Sequence, residues 1–404
     1  MKIIYFVITT VFLLTGCVKN NINQLQRSKI LSVYLTWDKS DTNSHMIVNY
    51  VTTSIPKITK LYWDTESHHS IIEQYPNVVT GKISGNPKLK FYVTKFALRN
   101  LNEKDIYHFV IGDQAHGFSR EYKFRTLPSK YPFEFIQGGD MKFGSEVVKL
   151  TKLALTNQTR VIMMGGDLAY ANGKKSNYSN WDSWLRNLNQ MTISPNGFLI
   201  PIIVGIGNHE TKLLAFKKRT KAPYYYLFFE QNGDYTFFDR NFGEDGVLLT
   251  LDSGHVFSHG GKQKQWLKEK FSQYKDKKFK FTMYHVPLYP SARDYTYGLS
   301  VDGRNNWLKI FDENNLTLSF ENHDHMMKRT KLLFNNKISQ GTKGTIYIGD
   351  GCWGMSPRKR NNEWYLEKSA PELHVWKGMI SKSQVTLEAI NIDGKTIDHF
   401  SINK

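Results

Sequence analysis

The chain has 404 residues, more than one ordinary hydrophobic core holds, so two domains are expected. Hydrophobic residues make up 40% and aromatic residues 14%, a composition that excludes an intrinsically disordered chain. Fifty-four Lys and Arg against 36 Asp and Glu leave a formal charge of +18, a field that draws phosphorylated ligands or anionic lipid head groups and says nothing of fold. No basic–aromatic recognition motif accompanies that charge, so no specific nucleic-acid partner is expected.

Lys2, an apolar run from Ile3 to Leu14 and the small residues after it read as an export signal. The run is too short to span a bilayer stably. Its end, Leu14-Thr15-Gly16-Cys17, resembles the lipobox of bacterial lipoproteins. That resemblance implies cleavage after Gly16 and acylation of Cys17, which would hold the protein on a membrane at a periplasmic or cell-surface face. Residues 1–16 are then the signal peptide and 17–28 a polar tether. With Cys17 acylated, Cys352 is the only thiol left and no intrachain disulfide forms.

Residues 29–127 read as all-β. Alternating or β-branched runs recur at Leu31 to Trp37, Met46 to Thr52, Lys60 to Trp63, Leu89 to Phe96, Tyr107 to Ile111 and Glu121 to Thr126. Turn-like clusters at Asp38 to Asn43 and Asn100 to Lys104 separate them. Six or seven short strands in this span make an antiparallel sandwich, and the closing pattern resembles a fibronectin type III module. Pro128 in the linker Leu127 to Lys130 blocks continued pairing.

From residue 131 to 404 strands alternate with helices. Buried strands are expected at Phe133 to Gln137, Arg160 to Met164, Leu199 to Gly205, Val247 to Leu251, Phe279 to Tyr284, Leu316 to Phe320 and Thr345 to Ile348. Helices are expected at Ser145 to Thr156, Tyr178 to Asn189, Lys262 to Tyr274 and Gly303 to Asn314. Ser145 would cap the first, whose apolar stripe is Val147, Val148, Leu150, Leu153 and Ala154.

Polar clusters follow five of these strands. They are Gly138-Gly139-Asp140, Gly166-Asp167-Leu168-Ala169-Tyr170, Gly207-Asn208-His209-Glu210, the single His285, and Asn322-His323-Asp324-His325. Ligands bind at the carboxyl ends of strands in α/β sheets, and carboxylates, an amide, a phenol and imidazoles gathered at one edge suit a polynuclear metal site. The glycines allow sharp turns and close approach. The order and spacing of the five clusters resemble the purple acid phosphatases of the metallophosphoesterase superfamily. That resemblance covers nearly the whole mature chain. It implies an N-terminal fibronectin-like sandwich followed by an α/β metallophosphoesterase domain of the αββα two-sheet type.

Carried over residue by residue, it implies one metal held by Asp140, Asp167, Tyr170 and His325, and a second held by Asp167, Asn208, His285 and His323. The first set is hard and anionic and suits Fe(III); the second suits Zn(II), Mn(II) or Fe(II). His209 would contact the phosphate with Asn208 and protonate the leaving alkoxide, after attack by a metal-bound hydroxide. Two departures from the family pattern stand out. Asn322 replaces a glycine, in a turn that Asn tolerates if left-handed. The loop after His285 has no histidine, leaving Arg293, Tyr295 and Tyr297 to meet an anionic substrate. His68, His69, His108, His116, His255, His259 and His374 lack motif context and are expected to be structural or exposed. The implied activity is a phosphatase acting on small phosphate monoesters. A phosphodiesterase, nucleotidase or pyrophosphatase on the same site, or a surface binding protein without turnover, are the alternatives, and oligomeric state is not legible.

Overall fold

The computed structural model describes residues 30–114, 116–212 and 219–404. The export signal, Cys17 and the tether lie outside them. Two antiparallel sheets form the N-terminal part. One orders Ile30–Thr36, Met46–Thr52, Phe91–Leu98 and Lys82–Asn86; the other orders Asn77–Thr80, Lys60–Asp64, Tyr107–Asp113 and Gly117–Phe118, with Tyr122–Phe124 also on Tyr107–Asp113. Alternate side chains of the first sheet, among them Val33, Leu35, Val48, Tyr50 and Phe96, fill the sandwich with Leu61, Phe109 and Ile111.

The opposite face of that sheet is buried as well. Leu31, Tyr34, Val51, Phe91 and Val93 pack against Trp181, Trp184, Phe228 and Phe229 of the second half. Tyr34 donates to the Phe228 carbonyl at 2.8 Å, and the Phe91 and Phe228 rings meet edge-on at 5.4 Å. That second contact explains why Met46–Thr52 is buried along its whole length, with no exposed face. Arg240 ties the halves from below: its buried guanidinium donates to the carbonyls of Trp37 at 2.6 Å and Gln231 at 2.8 Å.

The second half is a sandwich of two mixed sheets between helices. A six-stranded sheet runs Ile202–Val204, Thr159–Met164, Phe133–Gly138, His374–Ile380, Gln384–Asn391, Thr396–Asn403. A seven-stranded sheet runs Phe238–Asn241, Gly246–Thr250, Phe279–Met283, Leu318–Phe320, Ile346–Gly349, Met327–Thr330, Leu366–Ala370. Strand alternation sorts the side chains. Phe135, Val161, Met163, Leu248 and Phe281 fill the space between the sheets. Ile136, Ile162 and Met164 face outward to the helices Ser145–Ala154 and Tyr178–Met191. Val247 and Leu249 face Gly261–Gln273 and Gly298–Glu313. The αββα layering expected from the sequence is the observed one.

Several local expectations are corrected. Gly144, not Ser145, precedes the first helix and no side chain caps it. Its buried stripe uses Thr151 in place of Leu153, which is exposed; the Thr151 hydroxyl donates to the Val147 carbonyl at 2.6 Å and accepts the Trp353 indole N–H at 3.1 Å. The strand expected from Leu199 shrinks to Ile202–Val204, because Pro201 has no N–H for the ladder. Leu89 closes a short 3-10 turn, and its strand begins only at Phe91.

Candidate metal centre

Parallel pairing places the strand ends level. Met164 pairs with Gly138 on one side and Val204 on the other, and Met283 pairs with Phe320. The turns beyond these residues therefore open on one edge, carrying Asp140, Asp167, Tyr170, Asn208, His209, His285, His323 and His325. Five of the eight have left-handed backbones: Asp140 (φ 57°), Asp167 (54°), Tyr170 (54°), His323 (78°) and His325 (54°). Such conformations cost non-glycine residues roughly 1–3 kcal/mol each and persist where surrounding bonds over-determine them.

Those bonds are identifiable. The buried Glu210 carboxylate accepts the N–H groups of Asp167 (2.7 Å), Leu168 (2.9 Å) and Gly207 (2.8 Å), fixing two ligand turns together. Asp324 accepts the N–H groups of Ser291 (2.8 Å), Ala292 (2.8 Å) and Arg293 (3.0 Å), pinning the loop after His285. Behind them lies a fully buried ion cluster: Lys328 Nζ meets Glu321 at 2.5 Å and Asp350 at 2.7 Å. Glu321 also accepts from Tyr284 and the Leu288 N–H, both at 2.7 Å.

Asn322 does not take the left-handed conformation expected of it. The positive φ falls on His323 instead, and the Asn322 side chain wedges between turns, accepting from Gln137 at 3.2 Å and donating to the Tyr284 carbonyl at 2.9 Å. A Cβ at Gly165 would lie 1.9 Å from this amide and one at Gly139 2.6 Å from it, so those two positions need glycine for space.

The donor atoms form two groups. In the first, Tyr170 Oη lies 3.1 Å from Asp140 Oδ1 and 3.2 Å from His325 Nε2, which is itself 3.1 Å from Asp140 Oδ1. In the second, His285 Nε2 lies 3.1 Å from Asp167 Oδ2, 3.2 Å from Asn208 Oδ1 and 3.1 Å from His323 Nδ1. His285 Nδ1 faces the Gly165 carbonyl at 3.0 Å, which places a proton there and turns Nε2 toward the three neighbours. One ring nitrogen has at most one proton for three partners. His323 Nε2, buried in the same cluster, has no hydrogen-bond partner among the described residues. Asp167, His285 and His323 each offer an atom within 4.8 Å of the others, the spacing of ligands around a cation.

The charges agree. Burial disfavours a charged His285, yet the Asp167 and Asp140 carboxylates outweigh it and push the ring up to about 9. Burial, helped by Asp140 and Asp167, holds the Tyr170 phenol far above its usual range. Burial would also raise Asp140, but His285, His325 and the His323 N–H keep it below the usual carboxylate range. The cluster holds negative charge that one proton serves poorly and a multivalent cation serves well. Oxygen-rich donors in the first group and imidazoles with an amide in the second fit a pair of unlike metals.

His209 differs from its neighbours in exposure, its side chain being 32% open to solvent against 1% for Asp167. Its Nδ1 bonds to Asn172 Oδ1, its ring packs at a tilt on Tyr170 with centroids 4.1 Å apart, and its Nε2 lies 3.8 Å from Asp167 Oδ2. Arg293 stands 5.5 Å over the Tyr297 ring, with Nη1 bound to Asp324 and, at 2.9 Å, to the His323 carbonyl. Tyr297 in turn stacks on His323 at 6.1 Å. Sequence reasoning missed Asn172, Glu210, Asp324 and Lys328. Glu210 and Asp324 stood inside motifs without an assigned role, and Asn172 and Lys328 carried no signal. Of the other histidines, His116, His255, His259 and His374 are buried and His69 is exposed. His68 is half-buried against Asp64 at 2.7 Å rather than exposed.

Comparison with known proteins accords with this geometry. Residues 145–327 match the calcineurin-like phosphoesterase family, and residues 30–126 match the purple acid phosphatase N-terminal domain; Asp140 falls between the two. The Arabidopsis thaliana protein named Probable purple acid phosphatase 20 is 25% identical over 360 residues, 78% of this chain and 79% of that one. Purple acid phosphatase 22 of the same plant is 27% identical over 248 residues, 58% of this chain and 54% of that one. Among solved structures, a purple acid phosphatase from yellow lupin (Lupinus luteus) seeds has a TM-score of 0.76 at 16% identity, covering 93% of this chain and 74% of its own. PhoD has a TM-score of 0.69 at 11% identity, covering 93% and 90%. At those identities the structures speak for the fold alone. With both domains matched in order and the ligand turns assembled at one edge, the chain is a phosphoesterase enzyme that carries a purple acid phosphatase N-terminal domain followed by a calcineurin-like phosphoesterase domain.

Proposed function

We propose that this enzyme hydrolyses phosphate monoesters at an Fe(III)–M(II) centre, M being Zn, Mn or Fe, outside the cytoplasm. The observation that carries the reading is the double convergence of donors, with Asp140, Tyr170 and His325 in one group and Asp167, Asn208, His285 and His323 in the other. Asp167 would serve both metals. When bound, the two cations supply Lewis acidity for the phosphoryl oxygens and acidify the attacking water.

The chain's own residues supply the rest. Asn172 fixes the His209 ring through Nδ1, leaving Nε2 as the atom that hands a proton to the leaving alkoxide. The partial exposure of that ring lets a substrate reach it, whereas Asp140, Asp167, His285, His323 and His325 behind it are buried. Glu210 holds the Asp167 and Gly207 turns together, and Asp324 holds the loop after His285.

Metal analysis with a visible spectrum tests the assignment. A violet protein with at least one iron per chain supports Tyr170 as a phenolate ligand, and a colourless two-zinc or two-manganese protein refutes it while sparing the fold. Turnover of a panel of mono- and diesters from about pH 4 to 9 separates phosphomonoesterase from phosphodiesterase. Fully loaded protein inert toward every ester would end the enzymatic reading for this chain. Export rests on the sequence of residues 1–17. Incorporation of labelled palmitate, abolished by Cys17→Ser, is the expected outcome for a lipid-anchored protein.

A further inference from the structure

Residues 352–365 cross the edge of the ligand cluster as a strap anchored at both ends. The N–H groups of Gly354 and Met355 donate to the Asp140 carbonyl, and that of Arg358 to the His325 carbonyl, all at 3.1 Å. At the far end the Asn361 N–H donates to Ser291, and its side-chain amide to Ala292 and Arg293, all at 2.9 Å. Tyr365 Oη then donates to the Pro290 carbonyl at 2.5 Å. Between the anchors, Ser356, Pro357, Arg358, Lys359 and Arg360 are exposed.

The cations of this run lack partners. Among the described residues, every other arginine has a carboxylate, a carbonyl or an aromatic ring against it. Arg99 has Asp38, Arg186 has Asp182, Arg219 has Glu230, Arg329 has Asp398, Arg240 and Arg304 have carbonyls, and Arg125 has Phe198. Arg120, Arg160 and Arg293 are likewise engaged. The side chains of Arg358, Lys359 and Arg360 make no such contact among the described residues, and the one acidic residue on the strap is Glu363, beyond the Asn361 anchor. Backbone bonds to Asp140 and His325 keep three free cations beside the metal ligands. That is how a protein holds charge ready for an anion that arrives from outside.

We propose that Arg358, Lys359 and Arg360 form a second anion subsite, so that the favoured substrates are small molecules carrying a phosphoryl group besides the one cleaved. The inference rests on the phosphatase reading and names its substrate class. Its test compares fructose 1,6-bisphosphate with fructose 6-phosphate, which differ by one phosphate, on the metal-loaded wild type and on Arg358→Gln/Lys359→Gln/Arg360→Gln. A variant with the exposed Lys337, Lys343 and Lys382 changed to Gln removes equal charge elsewhere on the surface.

The strap variant should lower the bisphosphate-to-monophosphate ratio of kcat/KM about ten-fold, which two or three exposed charge-assisted bonds supply, while the control keeps the wild-type ratio. Calorimetric binding of methylenediphosphonate, a non-hydrolysable bisphosphonate, should weaken in parallel. An unchanged ratio, or equal losses in both variants, overturns the proposal. So does binding to phosphatidylglycerol vesicles that is lost in the strap variant with the ratio intact, which would give the cations to a lipid surface. If no ester is turned over, the phosphatase reading fails, and the bisphosphonate affinities alone decide the subsite.

Discussion

The two halves of the molecule handle charge in opposite ways. In the N-terminal sandwich the half-buried carboxylates Asp38 and Glu121 each have their own partners: Asp38 holds Arg99 at 2.7 Å, and Glu121 gathers Ser67, the His68 N–H, Tyr75 and His108. Those bonds close loops. At the strand ends of the second half, Asp140, Asp167 and three histidines crowd together, with His323 Nε2 unpaired and five backbones left-handed. A protein tolerates such crowding only where a ligand repays it. The contrast marks one half as support and the other as the place where chemistry happens.

Asp167→Ala should produce the largest effect. Removing the carboxylate proposed to serve both metals should strip both and reduce turnover to background, read by metal analysis beside kinetics. A variant that kept one metal at full occupancy would separate the two groups and break the bridging assignment. His209→Ala comes next: it should keep both metals and lose about 10²–10⁴-fold in kcat, the usual contribution of a general acid. Loss of metal in this variant would make His209 structural instead.

Phe228→Ala tests whether the support is passive. The ring packs on Phe91 of the sandwich at 5.4 Å and on Trp181 at 5.2 Å, so truncation opens a cavity between the halves. A loss of about 3–5 kcal/mol in one cooperative unfolding transition is expected. Two separate transitions would show that the sandwich and the catalytic half fold as independent units.

How much of this was legible depends on whether a role is local. The convergence of Asp140, Asp167, Tyr170, Asn208, His209, His285, His323 and His325 was readable because they follow five strand ends at fixed spacings. Asp324 and Lys328 were not: one is defined by three N–H groups on a loop more than thirty residues away, the other by Glu321 and Asp350 packed around it. Asn172 stands in no motif, and its role appears only in the fold, where His209 bonds to it. The C-terminal strands His374–Ile380, Gln384–Asn391 and Thr396–Asn403 went unread, because their outward faces carry Lys377, Thr386 and Glu388 and no motif marks them. Thr151 replaced Leu153 in the first helix because Trp353, two hundred residues on, needed a hydrogen-bond acceptor there.

The smallest effect sharpens the comparison from the supporting side. Burial would raise the Glu121 carboxyl, but bonds from Ser67, Tyr75 and the His68 N–H, with the charge of His108, bring it from its ordinary 4.5 down to about 2. A carboxylate with a depressed folded pKa adds stability that is complete above its unfolded value and is lost as pH falls through the folded one. For Glu121 the window therefore runs from 4.5 down to about 2. Its contribution is on the order of 1 kcal/mol, since solvent around this carboxylate screens the remainder. Urea titrations of wild type and Glu121→Gln should show the wild type ahead at pH 6 and the gap closing across that window. A gap independent of pH would mean that Glu121 acts by shape and neutral hydrogen bonds, and the sandwich would then owe its closed loops to packing rather than to paired charge.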